Sequence, residues 1–105
     1  MEKNEKTIEG WMKREIERLG GLFLKFVSPG NDGVPDRIAL LPSGRIIFVE
    51  LKTHDGRLSL LQGYQIDRIR HMGQEVCVVY GYEGARDLLY DIESENTLAR
   101  VYGRG

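Results

Sequence analysis

Pro35-Asp36 and the triplet Glu50-Leu51-Lys52 put two carboxylates and one ammonium at the ends of a short hairpin. Carboxylates are the donors a hard divalent cation takes. Magnesium accepts oxygen ligands at about 2.0–2.1 Å, usually one or two carboxylates with waters and phosphate oxygens. Asp36 and Glu50 would supply the carboxylates, and the Leu51 carbonyl a third oxygen. Lys52 beside them would orient a water, lower its pKa or stabilise charge on a phosphorane-like transition state. Such a set suffices to hydrolyse a phosphodiester. The competing reading of Glu50 and Lys52 is a structural ion pair at a strand end.

The elements around these residues decide whether they meet. Residues 5–20 carry Ile8, Trp11, Met12, Ile16 and Leu19 at helical spacing, and Gly20-Gly21 ends that helix. Leu22–Val27 is an apolar run of strand length, followed by a loop rich in Pro, Gly, Asn and Asp at 28–35. Asp36–Leu41 and Ile46–Lys52 read as two strands joined at Pro42-Ser43-Gly44-Arg45 into an antiparallel hairpin. A helix from Ser59 to Gly73, a strand at Glu75–Tyr80 and a third helix from Glu83 to about Ile92 follow. Thr97–Tyr102 is expected as a short terminal strand. A helix between the third and fourth strands makes that pair a candidate parallel crossover, so the sheet should be mixed.

Register tests the site. A four-residue turn at 42–45 pairs Leu41 with Ile46 and sets Asp36 opposite Leu51. Asp36 and Glu50 would then point to opposite faces. For them to share a metal, the turn must differ by one residue, a bulge must intervene, or Asp36 must leave the ladder.

Further carboxylates come from the first helix. Glu5 and Glu9 fall on or beside its apolar stripe, one turn apart, where acids need a reason. Glu15 also falls in the stripe, towards the other end. Ser59-Leu60-Leu61-Gln62 has capping-box spacing, which accounts for Gln62 by itself. Gln62 would also stand on the first turn of a helix beside the loop after Lys52, within reach of water or phosphate. Lys25, Arg37, Arg45, His54, Arg57, Arg68 and Arg70 are candidate phosphate contacts, though any one of them is more often a solvated surface charge.

Composition bounds the alternatives. The 105 residues fit one domain, 1–105, with 41% hydrophobic and 30% charged residues. No apolar stretch approaches the roughly 20 residues that span a membrane. The charged start, Met1 to Lys6, is not a secretion signal. The single Cys77 sits in an apolar run and reads as a buried reduced thiol, consistent with an intracellular chain. His54 and His71 lack zinc-ligand spacing, and no P-loop or nucleophile-elbow motif is present. A net charge of −1 argues against a nucleic-acid partner, except that cations bound at a carboxylate site would return positive charge.

Gly33-Val34-Pro35-Asp36-Arg37, Val49-Glu50-Leu51-Lys52 and Gly56-Arg57-Leu58-Ser59-x-x-Gln62 together resemble the VRR-NUC branch of the PD-(D/E)XK nucleases. The separations fit too: 14 residues from Asp36 to Glu50 and 10 from Lys52 to Gln62. The resemblance runs from the first helix to the strand at 75–80. It implies an α/β fold with a restriction-endonuclease-like αβββαβ core, a mixed central sheet flanked by helices. It further implies a Mg²⁺- or Mn²⁺-dependent DNA endonuclease. In that reading Asp36, Glu50 and the Leu51 carbonyl bind metal, Lys52 is the catalytic lysine and Gln62 the additional motif residue. Glu5 looks like the VRR-NUC first-helix acid, whereas Glu9 looks more like its counterpart in archaeal Holliday-junction resolvases. Stand-alone members are similar to junction resolvases and act as homodimers. The resemblance thus implies branched DNA, a four-way junction foremost, as partner, a role in DNA repair, and a cytoplasmic place in a bacterium or phage-infected cell. Flap or site-specific cleavage, or DNA binding without catalysis, are the alternatives.

Overall fold

The structure is a computed structural model that describes residues 4–101, with side chains as far as Thr97. Its elements run α1 (Glu5–Arg18), β1 (Leu22–Lys25), β2 (Arg37–Leu40), β3 (Ile46–Lys52), α2 (Leu60–His71), β4 (Glu75–Tyr80) and α3 (Gly81–Val101). The four strands form one sheet in the order β1-β2-β3-β4. The first three are antiparallel, and β3 pairs β4 in parallel through the α2 crossover. The expected α/β fold with a mixed sheet is therefore observed. Among the described residues no helix is long and apolar enough to cross a membrane.

Strand alternation separates two faces. Ile47, Val49 and Leu51 of β3 are buried with Phe23, Ala39 and Val79 in one cluster. Ile8, Met12 and Ile16 of α1 and Ala85, Leu88, Leu89 and Ile92 of α3 complete that core. Trp11 packs on Tyr82 with ring centroids 4.7 Å apart, joining α1 to α3. Phe48, Glu50 and Lys52 take the alternate positions and face the α2 side, where Ile66 and Val76 are buried. Cys77 is half-buried against the core, and burial pushes its thiol up.

The hairpin register differs from a four-residue turn. Leu41 N–H donates to the Arg45 carbonyl at 3.0 Å, and Gly44 N–H to the Leu41 carbonyl at 2.9 Å. The loop is therefore Pro42-Ser43-Gly44, one residue shorter. Proline presets the first turn position, and Gly44 takes φ +92°, the left-handed residue that closes three-residue hairpins. The ladder pairs Leu40 with Ile46 and Arg37 with Val49. One step further Asp36 falls opposite Glu50, on the same face.

The terminal strand is not formed. Thr97–Val101 continue α3, and Tyr102 lies outside the described residues. The apolar spacing of Leu88, Leu89 and Ile92 carries the helix onwards. Arg18–Glu93 at 3.1 Å and Arg45–Glu95 at 3.5 Å tie its later turns to the body.

Candidate active site

Asp36 follows a loop held close to α2. Gly33 has φ +89°, and a Cβ there would lie 2.9 Å from Leu61 Cγ and 3.0 Å from the Leu61 carbonyl group. Glycine therefore lets the loop rest on the first turn of α2. Gln65, itself buried, donates to the Asp32 carbonyl at 3.1 Å from the next turn. Pro35 is fully buried behind them. On the other side, Phe26 N–H donates to the Asp36 carbonyl at 2.9 Å, extending the β1–β2 pairing by one residue. Asp36 itself stands one residue before β2, tied to the β1 side by that bond.

The Asp36 carboxyl is held above the usual carboxylate range, chiefly by burial, with Glu9 adding to the effect and Arg37 and Lys52 opposing it. Its Oδ1 is buried with no hydrogen-bond partner among the described residues. Glu50 is 4% exposed. Burial first, then the neighbouring Asp36 and more weakly Glu5, pushes Glu50 up to about 7, against the pull of Lys52. Lys52 Nζ lies 3.9 Å from Glu50 Oε2. The ion pair weighed from sequence is thus a loose one.

Gln62 serves two purposes at once. Its Oε1 accepts from the Ser59 N–H at 2.9 Å while Ser59 Oγ accepts from the Gln62 N–H at 3.1 Å, completing the capping box. Its Nε2 then points the other way and donates to Glu50 Oε2 at 3.4 Å. Using the carbonyl oxygen in the cap dictates which end of the amide meets the carboxylate.

Asp36, Glu50, Lys52 and Gln62 are therefore brought together at one end of the sheet. Leu51 has its side chain in the core, leaving its backbone carbonyl as its only oxygen. The helix acids behave differently. Glu9 is ion-paired with Arg37, which alternates with Asp36 and so faces α1. Glu5 is exposed in the first turn of α1, close enough to act on Glu50 electrostatically but with no hydrogen bond or ion pair among the described residues. Glu15 pairs with Arg18 at 3.1 Å, at the far end of the helix. Among the described residues no three His, Cys, Asp or Glu side chains lie close enough to hold a metal by themselves.

The basic residues sort in the same way. Arg45 meets Glu75 at 2.7 Å and Asp91 at 3.0 Å. Arg70 donates to the Val76 carbonyl at 2.8 Å, and Arg68 to Gln65 at 3.0 Å. Arg37 and Arg45 are structural, and sequence gave no direct sign of their partners, which lie far away along the chain. Alternation did carry one clue: Arg37 must point away from the face of Asp36.

Two adjacent carboxylates held above their usual range, one with an orphaned buried oxygen, have their charge only partly offset by the Lys52 ammonium beside them. Oxygen donors of this kind fit a hard divalent cation, with waters or phosphate oxygens filling its remaining positions.

No protein-family model matches the chain. A protein of Acyrthosiphon pisum secondary endosymbiont phage 1, named "Putative nuclease p44", is 41% identical over 75 residues, 71% of this chain and 81% of that one. A solved structure described as "VRR_NUC domain" is similar at TM-score 0.77 and 32% identity, over 82% of this chain and 94% of that one. With that agreement in sequence and in fold, the chain belongs to the VRR-NUC family of nuclease domains.

Proposed function

We propose that the protein is a Mg²⁺- or Mn²⁺-dependent endodeoxyribonuclease acting on branched DNA, with four-way junctions as the preferred substrate. The neighbouring carboxylates of Asp36 and Glu50, with the unpartnered Asp36 oxygen, carry this reading. Asp36, Glu50 and the Leu51 carbonyl would hold the cation, with Glu5 the helix acid to join them because Glu9 is engaged by Arg37. When bound, the cation supplies Lewis-acid activation of water and of the phosphoryl group. Lys52, with its side chain 17% exposed, presents an ammonium to the same space. It steadies the attacking water and offsets charge on the phosphoryl oxygens. Gln62 fixes the Glu50 carboxylate so that its lone pairs stay aimed at the site. Paired cuts across a symmetric junction call for two sites related by a two-fold, hence a homodimer.

Purified protein should be given a four-way junction, a flap and a linear duplex in Mg²⁺, Mn²⁺ or EDTA. Metal-dependent cleavage of the junction above the others is expected, and Lys52→Ala should abolish it. A preference for the flap or for a fixed duplex sequence would move the substrate assignment. Wild type indistinguishable from Lys52→Ala on every substrate would reject catalysis.

A further inference from the structure

A cavity of about 650 Å³ lies beside the site on the α2 face of the sheet. Three of its walls lead directly into catalytic positions. Val34 is two residues before Asp36, Phe48 two before Glu50 on the same strand face, and Gln65 one helical turn after Gln62. Phe26, also on the wall, lies opposite Asp36 across the sheet. The cavity thus shares its β2 approach, β3 and α2 with Asp36, Glu50 and Gln62.

The lining is largely aromatic and apolar, with Arg68 as its cation. Phe26 and Phe48 meet edge to face with centroids 5.4 Å apart. Tyr64 is 58% exposed, and the Arg68 guanidinium stands over its ring at 5.5 Å. His71 and Met72 complete the α2 side. Asp67, on the same wall, offers an acceptor for an exocyclic amino group. The volume lies in the roughly 300–1,000 Å³ range of small-ligand sites. Aromatic faces with an adjacent arginine suit a planar heteroaromatic ring carried on an anionic backbone.

We propose that this cavity receives an unstacked nucleobase of the strand being cut, one step from the scissile phosphate. The proposal rests on the nuclease reading of the Asp36–Glu50 site for its substrate, but not on catalysis. The ring stacks among Phe26, Phe48 and Tyr64, and Arg68 meets the backbone phosphate beside it. Branch points and single-stranded arms offer bases whose unstacking costs least, so the cavity favours such DNA over an intact duplex.

The test uses ¹⁵N-labelled full chain in EDTA, where no cleavage intervenes. It is titrated with a single-stranded deoxyadenosine hexanucleotide and with an abasic strand of equal length. Expected are amide shifts at Phe26, Phe48, Tyr64 and Arg68 with the base-bearing strand, and about tenfold weaker binding of the abasic one. Tyr64→Ala, at an exposed position, should weaken the base-bearing strand about tenfold and leave the abasic strand unchanged. Equal affinity for both strands, no binding of either, or shifts elsewhere would overturn the proposal. Shifts at these amides that grow with protein concentration alone would do the same, marking the cavity as a contact between two copies. Loss of cleavage in the separate junction assay, with base binding intact, would reject the nuclease reading alone.

Discussion

Gln62 donates from Nε2 to Glu50 Oε2 at 3.4 Å, so the residue that caps α2 also holds the carboxylate at the end of β3. Helix start and site are one hydrogen-bonded unit. Gln62→Ala removes half of the capping box and the Glu50 donor together. A stability loss of about 1 kcal/mol is expected in urea unfolding, accompanied by reduced cleavage. Gln62→Glu retains the cap chemistry but sets a third carboxylate against Glu50. It should match wild type at pH 5 and be less stable at pH 8; equal stability at both values would contradict the contact.

Glu50 makes stability depend on pH. Its carboxyl moves from an ordinary 4.5 to about 7 in the folded chain, so the folded state holds the proton more tightly than the unfolded one. The associated stability is full below about 4.5 and is lost as pH rises through about 7. Asp36, raised in the same direction, adds to the loss. The unfolding free energy from denaturant titrations in EDTA should therefore fall between pH 5 and pH 8, by on the order of 3 kcal/mol in total. Glu50→Gln should flatten the profile and exceed wild type at pH 8. Added Mg²⁺ or Mn²⁺ should stabilise wild type more at pH 8 than at pH 5, where protons compete for the carboxylates.

Lys52 counters the charge of the pair, lowering Glu50 against burial. Lys52→Met should lift the Glu50 titration midpoint above about 7, read from its ¹³C carboxyl shift. Junction cleavage should fall by about two to three orders of magnitude with the amide spectrum otherwise unchanged. A midpoint that stays in place would show that the ammonium does not act on Glu50.

Gly33 and Gly44 both have left-handed backbone, but only Gly33 is crowded. At Gly44 an added Cβ meets nothing within 4 Å, whereas at Gly33 it meets Leu61 side chain and backbone. Gly44→Ala should cost about 1 kcal/mol of conformational strain and leave cleavage intact. Gly33→Ala should cost more and displace Pro35-Asp36 from α2, so that cleavage falls out of proportion to stability.

Arg45 ties the hairpin to β4 and α3 through Glu75, Asp91 and Glu95. The bond to Glu75 leads in holding its guanidinium protonated. Arg45→Lys should lose about 1–2 kcal/mol in thermal or urea unfolding, because a lysine reproduces neither the fork onto Glu75 nor the shared contacts. DNA affinity should be unchanged by that substitution, in keeping with a structural role.

Local residue patterns carry the elements up to the start of α3 and the list of groups able to do chemistry. Apolar spacing in α1, the continuous run of β3 and the Ser59–Gln62 cap are local signals that each element carries in its own residues. The α/β order and the choice of Asp36, Glu50, Lys52 and Gln62 followed from these signals and the motif they form. The late extent of α3 was not legible, since its last turns are held by Arg18 and Arg45, distant in the chain. Which acids meet is settled only in the packed sheet. A loop of three residues instead of four turns Asp36 to the face of Glu50, because side chains alternate with every residue along a strand. Arg37, one position on, faces α1 and engages Glu9. Long-range pairing partners and the burial that raises Glu50 are properties of the packed sheet, and no local stretch of residues contains them.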